Sequence, residues 1–146
     1  LALHYSLTRV ERRAAALRLA SRVGLKDPER MVRAYPHEVS GGQRQRAAIA
    51  AAISARPGLL LADEPTTALD VTVQKGVLRL FRELTEGDDT SLVFITHDLA
   101  VMAEVAERVL VFDGGNVIEQ GTVGQILESP SHSITRALIR AAGGDS

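Results

Sequence analysis

The stretch that decides the fold is Val39-Ser40-Gly41-Gly42-Gln43-Arg44-Gln45-Arg46, which joins a charged first part of the chain to an alanine-rich segment. Ser40 is a favoured N-cap, and the helix formers after the two glycines predict a helix that begins at this serine. Glycine allows another molecule to approach the backbone, and the amides at a helix start attract anions such as phosphate. Short glycine motifs also recur by chance, so a turn that only caps an amphipathic helix is an equally good interpretation of this stretch alone.

Composition is typical of a globular protein of one-domain size. The chain has 146 residues, of which 45% are apolar and 24% are charged. Its net charge of −1 provides no basic field for nucleic acid or an anionic membrane surface. The absence of cysteine excludes disulfides, thiolate metal sites and a thiol nucleophile. No apolar run approaches the roughly 20 residues that a membrane-spanning helix needs.

Apolar spacing and turn residues predict alternating helices and strands after a helical first part. The predicted helices are residues 8–23, 29–34, 40–56, 71–86, 99–106, 123–127 and 134–141, and the predicted strands are 59–62, 91–96, 108–112 and 116–120. Residues 47–53 are apolar nearly all round, which predicts a buried helix segment. The runs at 59–62 and 91–96 are typical of strands covered on both faces in a parallel sheet. This alternation indicates an α/β layer.

Polar side chains follow two of the predicted strands, where an open α/β sheet binds its ligands. Asp63 and Glu64 come directly after the first strand, and His97 follows the second. One acid can hold a hydrated Mg²⁺ while the other orients or deprotonates a water, and a histidine can contact a transferring phosphoryl group. Taken singly, solvated acids and a hydrogen-bonded loop histidine are the more ordinary interpretations. Together with the glycine motif, they favour a nucleotide site.

The order of four elements resembles that of ABC-type ATPases. These elements are Ser40-Gly41-Gly42-Gln43, the run 59–64, Thr67-Ala68-Leu69-Asp70, and His97. The resemblance implies a partial P-loop NTPase domain of the α/β class, with a mostly parallel sheet and an N-terminal helical subdomain. It divides the chain into a helical subdomain at 1–57, an α/β core portion at 58–128 and a C-terminal helical extension at 129–146.

The same resemblance implies roles for individual residues. Glu64 and His97 would be catalytic, and Asp63 would hold Mg²⁺ through water. Ser40, Gly41, Gly42 and Gln43 would form the signature motif and serve the nucleotide of a partner domain. Asp70 would end the D-loop, as a further nucleotide-binding residue, and would communicate across the interface. ATP and Mg²⁺ are therefore the expected cofactors.

The resemblance also implies partners and a location. A second ABC ATPase domain, identical or different, would complete the nucleotide sites, and transmembrane permease subunits would bind the pair. An extracytoplasmic solute-binding protein would be an indirect partner, and no nucleic acid is expected. The protein would be peripheral, on the cytoplasmic face of the cell membrane.

A closer resemblance is to oligopeptide and dipeptide importer ATPases. It rests on Tyr35-Pro36-His37-Glu38, on Val71-Thr72-Val73-Gln74 and on residues 94–99. Pro130, His132, Thr135 and Leu138 fit the Pro-x-His-Pro-Tyr-Thr element of that group, whereas Ser133 and Ile134 replace its proline and tyrosine.

No G-x-x-x-x-G-K-[ST] phosphate loop occurs in the 146 residues. This loop is N-terminal in the family, so the chain is expected to be the C-terminal portion of the domain and to be inactive alone. Two alternatives stay open: a non-transport ABC ATPase of DNA repair or translation, and a non-hydrolysing truncated dimerisation module. The near-neutral charge disfavours the first, and the presence of Asp63, Glu64 and His97 disfavours the second.

Overall fold

The computed structural model describes residues 6–67, 69–87 and 90–143. Its α-helices are α1 Arg9–Arg22, α2 Pro28–Met31, α3 Gly41–Ile53, α4 Val71–Gly87, α5 Leu99–Val105, α6 Val123–Glu128 and α7 Ser133–Gly143. Its strands are β1 Leu59–Asp63, β2 Ser91–Ile95, β3 Arg108–Asp113 and β4 Asn116–Thr122. The predicted order of helices and strands is confirmed, with ends that differ by a few residues.

The chain divides into two compact units, the first ending at Val93 and the second beginning at Phe94. The divisions expected after residues 57 and 128 stay predictions. Within the described ranges, no helix has the length and apolar character needed to cross a membrane.

Local capping explains where the first helices begin and end. The Thr8 hydroxyl accepts a hydrogen bond from the Glu11 amide at 3.3 Å, and the Thr8 amide donates to the Glu11 carboxylate at 2.8 Å, which is a capping box. Gly24 follows α1 with φ +71°, a left-handed conformation that glycine adopts without a steric penalty. Asp27 caps α2 by accepting from the Arg30 amide at 3.3 Å.

Helix α4 supplies more buried apolar residues to the core of the first unit than any other single element. Its buried side chains recur at helical spacing and form one apolar face: Val77, Leu78, Leu80, Phe81 and Leu84. The other buried apolar residues of this unit come from every element around it, namely Ala20, Val23, Leu25, Met31, Ile49, Ile53, Leu60 and Ala62. Helix α3 contacts both α1 and α4, and this packing places the start of α3 near the start of α4.

Helix α3 is buried on one stripe only, so the prediction of a segment buried nearly all round is wrong. Ile49 and Ile53 are buried, whereas the alanines at 47, 48, 51 and 52 are exposed. The reason is that α1 and α4 both pack against the stripe that carries the isoleucines. Apolar content alone does not show how many sides of a helix have neighbours.

Strands β1 and β2 pair with their beginnings side by side, as in a parallel pair. The Ser91 amide donates to the Gly58 carbonyl at 2.9 Å, and the Thr90 hydroxyl donates to the Pro57 carbonyl at 2.8 Å.

The prediction that both of these strands are covered on both faces is wrong for the described residues. Leu60 and Ala62 are buried, but Leu59 is 59% and Leu61 is 65% exposed. Val93 and Ile95 of β2 are each 45% exposed. Because side chains alternate along a strand, the covered and uncovered faces of β1 carry alternate residues.

The second unit is built around an antiparallel hairpin of β3 and β4. Gly114 and Gly115 form its two-residue turn with φ +53° and +82°, values that glycine permits and that match the twist of the strands. The carboxylate of Glu119 on β4 accepts hydrogen bonds from the amides of Ser131 and His132 at 2.6 and 3.1 Å. These bonds hold the segment before α7. The residues buried in this unit include Val101, Met102, Ile126 and Thr135.

Candidate functional site

The signature motif begins α3 as the sequence predicts. The Ser40 amide donates to Gln43 Oε1 at 2.9 Å, and the Gln43 amide donates to Ser40 Oγ at 3.3 Å, which forms a capping box. The first helical hydrogen bond runs from the Arg44 amide to the Ser40 carbonyl at 2.9 Å. The helix therefore offers no acceptor to the amides of Gly41 and Gly42, and these donors stand at the positive end of the helix dipole.

The two glycines of the motif have different surroundings. A Cβ placed on Gly42 would lie 2.4 Å from Val73 Cγ1, far inside van der Waals contact, and Gly42 is buried. A Cβ on Gly41 would meet nothing closer than 3.9 Å, and Gly41 is exposed. Gly42 is therefore needed for packing within the chain. Gly41 is the glycine whose backbone another molecule can approach.

Glu64 has a left-handed backbone at the end of β1, directly after the exposed Asp63. Its φ is +47°, a conformation that costs a non-glycine residue about 1–2 kcal/mol and that the following Pro65 disfavours further. The Thr67 hydroxyl donates to the Glu64 carboxylate at 2.7 Å, and the Thr67 amide donates to the Glu64 carbonyl at 3.2 Å. A strained backbone that holds a carboxylate in a fixed turn supports the hypothesis that Glu64 has a functional role. Nothing in the sequence pattern predicts this backbone.

Asp70 caps α4 and lies close to the signature motif through Val73. Its carboxylate accepts from the Val73 amide at 3.0 Å, and its carbonyl accepts from the Gln74 amide at 2.8 Å. The Val73 side chain contacts the backbone of Gly42. The first unit thus brings the signature motif and Asp70 together through one residue that the sequence analysis did not single out.

His97 follows β2, in the second unit, and is exposed. The turn around it is fixed by its neighbours, since the Asp98 amide donates to Thr96 Oγ1 at 3.0 Å. Asp98 then caps α5 by accepting from the amides of Ala100 and Val101 at 2.8 and 3.2 Å. The predicted strand, turn and helix around His97 are confirmed, and its catalytic role stays a prediction.

The acids of the described ranges form no group of three or more possible metal ligands. Mg²⁺ in nucleotide sites commonly takes only one or two carboxylates and completes its shell with water and phosphate oxygens. Asp63 is exposed, and its carboxylate oxygens are the kind of ligand that such a magnesium shell takes from the protein. Asp63 therefore fits one position in a magnesium shell, and the residues that the structure describes form no complete cage.

Comparison with known proteins shows which proteins the chain resembles. The family model described as "ABC transporter" matches residues 3–67. Over 141 residues the chain is 50% identical to the peptidoglycan transport ATP-binding protein YejF of Agrobacterium fabrum, an alignment that covers 97% of this chain and 26% of that protein. Nearly the whole chain is therefore similar to transport ATP-binding proteins, and residues 3–67 are similar to the ABC transporter family.

A second transport protein and a solved structure are also similar to the chain. The dipeptide transport ATP-binding protein DppD of Haemophilus influenzae is 48% identical over 94% of this chain and 42% of its own length. The chain thus spans less than half the length of these curated ABC relatives. A solved dimeric, post-hydrolysis structure of the ATP-binding cassette MJ0796 with ADP and Pi matches with a TM-score of 0.71 and 34% identity, over 82% of this chain and 50% of that one. This match confirms the predicted ABC-type α/β fold.

Proposed function

We propose that the chain is the C-terminal portion of a nucleotide-binding domain that hydrolyses ATP for an importer of peptides or similar small solutes. The observation that carries the proposal is the strained Glu64, held by Thr67 directly after Asp63 at the end of β1. The chain that carries this residue is 50% identical to one transport ATP-binding protein and 48% identical to another.

In this proposal Glu64 acts on the attacking water. One carboxylate oxygen accepts the Thr67 hydroxyl, which fixes the orientation of the group. The carboxylate would orient the water and polarise its O–H bond, the role that positioned carboxylates play in phosphoryl transfer. Asp63 would hold Mg²⁺ through water, and this ion when bound neutralises charge on the phosphate oxygens. His97, at the end of β2, would contact the γ-phosphate.

The signature motif would serve a nucleotide held by a second ATPase domain. Ser40 and Gly41 are exposed, and the free first-turn amides of Gly41 and Gly42 suit a phosphate. Gln43 completes the capping box that fixes the orientation of these groups. Asp70 lies in the same packed cluster and would transmit the state of one site across the interface.

The proposed setting is the cytoplasmic face of the membrane, where the domain would bind permease subunits as a peripheral protein. Its solute would be selected by those subunits and by an extracytoplasmic binding protein. Two residues of the importer element near the C-terminus are held by packing or hydrogen bonding. Thr135 is buried, and the amide of His132 donates to the Glu119 carboxylate. This anchoring gives a structural reason for part of the element.

The coding sequence upstream of Leu1 tests the proposal directly. We expect an in-frame G-x-x-x-x-G-K-[ST] segment there, because the Glu64 site needs a cradle for the β- and γ-phosphates. A start codon at this point with no such segment upstream would overturn the assignment as part of a hydrolysing domain.

A further inference from the structure

Helix α3 has one charged residue on its packing face. Residues 42, 46, 49 and 53 follow a spacing of four, three and four, which places them on a single stripe of the helix. Gly42, Ile49 and Ile53 of this stripe are buried, and Arg46 is half-buried among them. An apolar side chain is the ordinary choice for such a position, so the guanidinium needs its own explanation.

The guanidinium of Arg46 lies in a slot between α1 and α4. Its Nη1 donates to the carbonyl of the fully buried Val23 at 2.6 Å, in a charge-assisted hydrogen bond at the end of α1. A Cβ on Gly24 would lie 3.1 Å from this Nη1, and a Cβ on Gly76 of α4 would lie 2.5 Å from Nη2. Both walls of the slot are therefore glycines, and a side chain at Gly76 would displace the guanidinium.

The same stripe of α3 also contacts the first turns of α4 at a point one helical turn before Arg46. Gly42 lies against the side chain of Val73, whose amide donates to the carboxylate of Asp70. Two contacts, Gly42 with Val73 and Arg46 with Gly76, thus fix α3 along α4. The hydrogen bond to Val23 fixes α3 to α1 at the same time.

We propose that Arg46 is a positioning residue for the ATPase reaction. Its guanidinium holds α3 against α1 and α4, so the signature motif and Asp70 keep a constant spacing. A methionine would fill part of the slot but would leave the Val23 carbonyl without its donor. A lysine keeps the positive charge and a donor but has no second nitrogen to take the place of Nη2 beside Gly76. This inference rests on the proposed function for the reaction it names.

Hydrogen exchange on the 146-residue chain tests the positioning without nucleotide. We expect Arg46→Met to make the amides of α3 exchange at least ~10-fold faster relative to the buried amides of α4, because local opening no longer breaks a bond to Val23. Arg46→Lys should give an intermediate rate. The matched control is Arg79→Met. Arg79 is exposed on α4, and the ion pair described for it joins it to Glu83 of the same helix at 3.1 Å.

Kinetics of the complete ATPase test the link to the reaction. We expect Arg46→Met to lower kcat about 10-fold or more, while the KM for ATP changes less than about threefold, since small misplacements of a reacting group cost rate more than binding. Arg46→Lys should recover part of kcat, and Arg79→Met should stay within about twofold of wild type.

Unchanged exchange of α3 in Arg46→Met would overturn the proposal. Equal loss of protection in α3 and α4, with no recovery in Arg46→Lys, would overturn it as well, because that result describes general stability. If Arg46→Met does not fold, Gly76→Ala keeps the arginine and narrows its slot, and it should show the same selective loss in α3. A wild-type ATPase without turnover would refute the proposed function, while the exchange results would still decide the positioning.

Discussion

Replacing Gly42 by alanine tests the packing of the signature helix on α4. The new Cβ would lie 2.4 Å from Val73 Cγ1, about 1 Å inside the closest ordinary contact of 3.4 Å. Val73 is β-branched and has little rotamer freedom in a helix, so α3 must move away or distort. Overpacking of this kind costs about 1–3 kcal/mol, against a gain of about 1 kcal/mol from the better helix propensity of alanine. The expected net loss of unfolding free energy is therefore about 0–2 kcal/mol, so the net change alone does not isolate the contact.

A double-mutant cycle with Val73→Ala isolates this contact. Removing Cγ1 makes room for the new methyl group, so the two substitutions should couple by about 1–2 kcal/mol. The assay is urea unfolding followed by far-ultraviolet circular dichroism on Gly42→Ala, Val73→Ala and the double variant. Gly41→Ala is the control, because its Cβ would meet only atoms at 3.9 Å, and it should be neutral or slightly stabilising. A coupling below about 0.3 kcal/mol would refute the reasoning, since that is the ordinary error of additivity.

Two further predictions concern the second unit and the isolated chain. The pKa of Glu119 is lowered by the Thr135 hydroxyl and then by the amides of Ser131 and His132. The ionised carboxylate therefore stabilises the fold at pH values above its ordinary pKa, and this stabilisation is lost as the pH falls through the lowered pKa. Glu119→Gln should therefore lower Tm at neutral pH, and its difference from wild type should shrink as the pH falls through the lowered pKa. Glu128→Gln, an exposed control on α6, should change Tm little. Identical Tm curves for wild type and Glu119→Gln would contradict this. The purified 146-residue chain should show no ATPase activity, because no G-x-x-x-x-G-K-[ST] cradle occurs in it, and saturable Mg-dependent turnover would refute that prediction.

The ends of the helices could be predicted from sequence because their causes are local. Thr8 with Glu11 and Ser40 with Gln43 form capping boxes within four residues, and the Gly114-Gly115 turn is equally local. The strand and turn before His97 followed from the same kind of pattern.

What could not be predicted depends on contacts between elements or on backbone strain. The exposure of Leu59 and Leu61 depends on which face of β1 has neighbours, and an apolar run carries no such information. The contact of Gly42 with Val73 requires knowing which faces of α3 and α4 meet. The left-handed backbone of Glu64 contradicts local preference, so a sequence pattern does not predict it.

If Glu64 activates the attacking water, the Glu64→Gln variant of the complete ATPase should lose nearly all of its rate of ATP hydrolysis. The amide keeps the size of the side chain and removes its basicity, so we expect turnover at least ~100-fold slower with ATP still bound. Glu83→Gln, an exposed change on α4, is the matched control and should hydrolyse ATP at the wild-type rate. Near-normal turnover by Glu64→Gln would contradict the account.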